Sequence, residues 1–178
     1  YRITASGNYC LGENIRVSIS NTPFLVGGTR TFGSEKPIIL IEASDVNFDL
    51  NTYTISNDLG STWFNNPVLL TSGMSADYLV ALRINRPSSV NPSWQTGIRI
   101  FNGGIVGFDV GIRADRIKTL SLNKIIFRDL YSSSDFYQMK DLNFTNNSIQ
   151  NSLRGIGVSQ AEKMTINNND IALKAIRG

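Results

Sequence analysis

The sequence predicts an all-β solenoid of about seven coils with a 22-residue period and an N-terminal β cap, and three observations lead there. The first is a repeat. The segments LSLNKIIF at 120–127, LNFTNNSI at 142–149 and MTINNNDI at 164–171 place apolar residues in three columns: Leu120/Leu142/Met164, Leu122/Phe144/Ile166 and Phe127/Ile149/Ile171. A short fixed period marks stacked repeats, because each repeat buries its apolar edge only against its neighbours. The second is alternation of apolar and polar residues, rich in Val, Ile, Thr and Phe and without a helical period, which specifies strands rather than helices. The third is a column of Asn51, Gly73, Gly103, Asn147 and Asn169 between second and third strands, broken by Ile125. Asn and Gly enter the left-handed conformation at low cost, so the column predicts a tight turn repeated up the stack. An Asn there can also hydrogen-bond the levels above and below.

Taken in order, residues 1–20 alternate around Tyr9 and Ile15 but do not fit the period, and are expected to form strands covering the first coil, because a bare end exposes core and backbone edges. The solenoid then occupies 21–178. One period back from Leu120, Ile98, Ile100 and Ile105 fall in the three columns. One insertion of eight residues, within 85–96, is needed before the frame resumes at Val68 and Leu70, then Val46, Phe48 and Tyr53, then Phe24 and Val26. First strands are expected near Ile38, Gly60, Leu82, Ile112, Ser134 and Ile156. The last residues, 173–178, read as the start of a further first strand, so the β-structure is expected to continue past Gly178 or to be stacked on by a second copy.

Composition excludes several functions. The chain of 178 residues is 41% apolar, long enough for a real core, and it contains no apolar run of membrane-spanning length. Seventeen Lys and Arg against 14 Asp and Glu, without a basic cluster, argue against nucleic acid. With no histidine, Ser-His and Cys-His nucleophile systems and histidine metal sites are absent, and the lone Cys10 forms no internal disulfide or cysteine metal site.

The motifs ASDVNFDLN at 43–51 and FNGGI at 101–105 followed by GFDVGI at 107–112 resemble coils of right-handed, single-stranded parallel β-helix proteins of the pectin-lyase-like superfamily, with Thr52 where Gly is usual. The resemblance covers residues 9 to the end. It implies a parallel β-helix, an extracellular, cell-surface or virion location, and activity, where there is any, on the outer face of the first strand. On that face the frame puts Ile39, Ser61, Arg83, Arg113, Asp135 and Gly157 in one column and Ile41, Trp63, Asn85, Asp115, Tyr137 and Ser159 in the next.

Asp115 and Asp135, one coil and two residues apart, would have Cα atoms roughly 8 Å apart from strand spacing and rise, a separation that suits an inverting glycosidase. Arg83 and Arg113 would grip uronate carboxylates as forks, and Trp63 or Tyr137 would stack on a sugar ring. Arg86 and Trp94 lie in the insertion at the edge of the face, where Trp94 either packs over a coil or meets a ligand. Against this stands the plainer reading: exposed strand positions are polar in any soluble solenoid, and opposite charges on adjacent coils are ordinary cross-strand pairs. The NTD, DD and GHG motifs of polygalacturonases are missing, although Arg116-Ile117-Lys118 spells their RIK. Asp109, Asp115 and Asp135 are too dispersed for a calcium site, so no metal or cofactor is expected. The expectation is a non-catalytic structural or adhesive module of a surface or virion protein, with polysaccharide as its candidate partner; the alternative is a hydrolase or lyase acting on acidic glycans.

Overall fold

The computed structural model describes residues 1–19, 35–61, 78–85 and 93–174. Among them the chain is all-β, without helices. The strands are β1 (Arg2–Ile3), β2 (Gly7–Cys10), β3 (Ile15–Val17), β4 (Glu35–Ile41), β5 (Val46–Asp49), β6 (Thr54–Asn57), β7 (Tyr78–Ile84), β8 (Ile98–Val106), β9 (Val110–Arg128), β10 (Ser132–Thr145), β11 (Ser148–Ser152), β12 (Arg154–Asn167) and β13 (Asp170–Leu173). All belong to one strongly curled sheet, and every ladder between them is parallel.

In the C-terminal half the registers follow the repeat. Leu142 pairs with Leu120 and Met164, Phe144 with Leu122 and Ile166, and Ile149 with Phe127 and Ile171. Ile98, Ile100 and Ile105 of β8 join the same columns. Period-2 alternation sends these residues inward, where Leu120, Leu122, Phe127, Leu142, Phe144 and Ile149 are buried, and the Phe127 and Phe144 rings stack at 5.9 Å. Met164, Ile166 and Ile171 are exposed, since among the described residues nothing pairs with the outer edges of β12 and β13.

β9 runs for 19 residues without losing its hydrogen bonds, although it turns corners. The corners are single left-handed residues, with φ between 49° and 78°. They recur one period apart as Arg116, Gln138 and Gln160, as Asn102, Lys124, Asn146 and Asn168, and, at the end of the third strand, as Gly107, Asp129 and Asn151. One left-handed residue redirects the chain while its neighbours stay extended, and for an Arg, Lys or Gln this costs of order 1–2 kcal/mol. The left-handed position thus lies one residue before the expected Asn/Gly column, except at Asn51 (φ 50°).

The column itself has another role. Asn147 and Asn169 turn their amides inward: Asn147 Oδ1 accepts from Ile125 N–H at 3.0 Å while Nδ2 donates to Leu122 O at 3.1 Å, and Asn169 repeats this with Asn147 N–H and Phe144 O. Each Asn therefore ties its turn to the backbone one level back, so that Ile125, which has no amide of its own, is held at this position by Asn147. Gly103 is needed for space, because a Cβ there would lie 2.3 Å from Leu50 Cβ.

The N-terminal half departs from the frame. Counted along the pairing path β1, β4, β7, β9, β10, β12, the described strands form six levels. Ile39 pairs directly with Leu82, one residue short of the two full periods expected between first strands here. Instead of a first strand at Gly60, the chain makes a turn closed by Gly60 N–H to Asn57 O. That single missing residue inverts β4: Ile39 and Ile41, expected outside, are 2% and 0% exposed. A one-residue slip in a period-2 element must exchange its faces. Likewise Ile55, not Tyr53, pairs with Ile105 and is buried. Within residues 1–20, the expected cover, β1, β2 and β3 pair in parallel with the next level: Arg2 with Leu40, Tyr9 with Phe48, Ile15 with Ile55. Phe24, Val26, Val68, Leu70 and Gly73 lie outside the described residues.

Two polar side chains explain where the period fails. Asp109, fully buried, accepts from Ser61 Oγ at 2.6 Å and from Leu79 N–H at 2.9 Å, joining the residues on either side of 62–77. Asn85, with φ 51°, donates from Nδ2 to Ser93 O at 3.0 Å and to Asp115 O at 2.9 Å, joining both sides of 86–92 and fixing them to β9. Each clamp brings together described residues that are far apart along the chain.

Candidate functional site

The outer face of the β4–β7–β9–β10–β12 ladder aligns Leu40, Arg83, Arg113, Asp135 and Gly157, so four of the six expected members of this column are neighbours. Ser61 is not among them, being buried against Asp109. Two residues along, Asp115 pairs with Tyr137, and Tyr137 with Ser159. Asp115 and Asp135 therefore stand diagonally, one level and two residues apart, as expected. Trp63 and Arg86 fall outside the described residues.

The arginines are engaged by a residue that sequence reasoning did not select. Glu35, at the start of β4, places Oε1 2.9 Å from Arg113 Nη1 and Oε2 3.1 Å from Arg83 Nε. The contact to Arg83 is ionic, without hydrogen-bond alignment at Nε. Arg83 is only 5% exposed, and a buried guanidinium needs a counter-charge because desolvation otherwise costs several kcal/mol. Glu35 supplies that charge to both arginines at once. It stands far from both in sequence, at no whole number of periods from either, so no repeat signal could have paired them.

Around this triad the expected neighbours are present but hold other partners. The Arg113 guanidinium sits 5.1 Å from the centre of the Tyr137 ring, a cation–π contact that supports a ring left 38% exposed. Although Asp135 lies opposite Arg113, its Oδ1 accepts from Ser132 Oγ at 2.9 Å. The next level gives the carboxylate room, since a Cβ at Gly157 would lie 2.8 Å from Asp135 Oδ1. Nearby, Arg154 lies 5.2 Å over the Tyr131 ring. Burial raises the Tyr131 phenol above its usual range; Arg154 opposes this and Asp135 adds to it.

At the edge of the face, residues 93–97 are held by Gln95 N–H to Arg116 O, Lys118 N–H to Gln95 O and Gly97 N–H to Thr119 Oγ1. Trp94 is 38% exposed, with Lys140 Nζ 5.6 Å from its ring centre, so it is covered on one face and open on another. The site thus offers two half-exposed aromatic rings and two diagonal carboxylates on a rigid ladder, with two guanidiniums already sharing the Glu35 carboxylate. Among the described residues no three acidic or cysteine side chains gather as a metal site. Compared with protein-family models, curated proteins and solved structures, the chain matches none of them.

Proposed function

We propose that this chain is a non-catalytic structural or adhesive module of a surface or virion protein, a right-handed parallel β-helix of the pectin-lyase-like kind that holds carbohydrate on its first-strand face. The periodic registers of β9, β10 and β12 and the recurring left-handed corners support the helical winding. The observation behind the non-catalytic reading is the Arg83–Glu35–Arg113 bridge. Guanidiniums that would grip a uronate carboxylate already share one, and displacing it would leave the largely enclosed Glu35 without its counter-charges. Tyr137 and Trp94 stay open to a ligand and are suited to stacking on a sugar ring.

The second reading, a hydrolase or lyase on acidic glycans, draws on the diagonal placement of Asp115 and Asp135, one level and two residues apart, which strand spacing and rise convert to roughly 8 Å between Cα atoms. Incubation with uronate polymers, followed by detection of new reducing ends or unsaturated products, separates the two. The module reading expects no product from the wild-type protein, and expects binding to immobilised glycans that Tyr137→Ala weakens by about tenfold. Product formation that is lost in Asp135→Asn would replace it with the enzyme reading.

A further inference from the structure

On a different face, the outer side of the third strands, the registers align Arg16, Ser56, Val106 and Arg128 in one outward column. Three steps of ~4.8 Å put the two arginines about 14 Å apart, with short side chains between them. The result is a cavity of about 650 Å³ lined by this column together with Asn14, Asp58, Leu59 and Asp129. A second hollow of about 370 Å³ adjoins it over Gly104, where the neighbouring column has no side chain.

Its walls are fixed in place. Asn57, 4% exposed, donates from Nδ2 to Ile19 O and to Gly60 O, and the turn it closes rests on Gly107, where φ is +78° and a Cβ would lie 2.5 Å from Asn57 O. Asn14 Oδ1 accepts from Thr54 N–H at 2.8 Å, leaving the Nδ2 hydrogens as that side chain's donors. Asp129 lies 3.4 Å from Arg128 and accepts from Asn151 Nδ2.

The chemistry of the lining is selective. Two guanidiniums face two carboxylates, so the cavity has no net charge to favour an anion or a cation. Fork-shaped donors and acceptors set beside hydroxyl and amide groups match a ligand that both gives and accepts hydrogen bonds at closely spaced positions. Val106 and the half-exposed Leu59 supply apolar patches. An apolar ligand would leave the charged groups desolvated without partners.

We propose that this cavity binds a short neutral oligosaccharide lying along the stack, at a site separate from the first-strand face. Isothermal titration of the full chain with maltotriose, cellotriose and mannotriose, with trigalacturonate for comparison, tests it alongside an array of neutral glycans. The expected result is saturable binding of at least one neutral glycan, weakened by about tenfold or more in Val106→Trp, which fills the hollow, and in the exposed Arg128→Ala. Tyr137→Ala should leave this binding unchanged. Absence of any neutral ligand, preference for trigalacturonate, or affinity indifferent to both Val106→Trp and Arg128→Ala would overturn the proposal. The first-strand reading stands or falls separately, on Tyr137→Ala.

Discussion

The two halves of the stack solve one problem by different means. From β9 onward every level has the same length, and stability comes from apolar columns with an Asn ladder to satisfy the turns. Before β9 the paired levels stand at longer and unequal spacings, as from Arg2 to Leu40 and from Asn47 to Arg99. There, buried polar clamps at Asp109 and Asn85 bring together chain ends that repetition would otherwise have placed. Regular repeats make packing local and redundant. Irregular ones make it depend on a few hydrogen-bonded groups, each serving a long stretch of chain.

The largest test of that contrast is Phe144→Ala. Phe144 is fully buried and stacked on Phe127, so truncation should cost about 3–5 kcal/mol by urea unfolding. A loss under about 1 kcal/mol would mean that the columns are not what holds the regular half. Next comes Asp109→Ala, which removes the buried acceptor of Ser61 Oγ and Leu79 N–H and should destabilise by about 2–4 kcal/mol. It should also increase proteolysis near residues 61–79 while sparing 110–174; uniform cleavage along the chain would contradict the clamp. The smallest effect concerns Tyr131, whose folded-state pKa is raised, mainly by burial. The folded protein then holds this proton more tightly than the unfolded chain. The associated stability is complete below pH about 10 and is lost as pH rises through the folded pKa. Tyr131→Phe should flatten the decline in melting temperature above pH about 10, and an unaltered slope would assign that decline to other groups.

These contrasts also separate what was legible in the sequence from what was not. The columns through Leu120, Leu142 and Met164 were readable because period and burial coincide, and the outward neighbours Arg113, Asp115, Asp135 and Tyr137 followed from them. In β4 the same arithmetic put Ile39 and Ile41 on the wrong face, because a single residue over two periods decides the side and nothing local marks it. Glu35 escaped notice for a related reason: its ion pairs with Arg83 and Arg113 obey no period. Asp109, in the motif GFDVGI, looked like one more acid on a strand, and only its burial shows that it organises the fold.

The left-handed corners have a mechanical consequence. Arg116 and Lys124 let β9 turn without ending, and the two following levels are each divided once, between β10 and β11 and between β12 and β13. Every regular level is held to the next by bonds that run along the stack. Tension applied to the ends of the chain therefore meets those levels in series. Each that yields frees one period of chain, or about 75 Å of contour at full extension, whereas a level in the first half frees more. Stretched, such a molecule would lengthen in equal increments from its C-terminal side and unequal ones from its N-terminal side, writing the repeat length directly into a force trace.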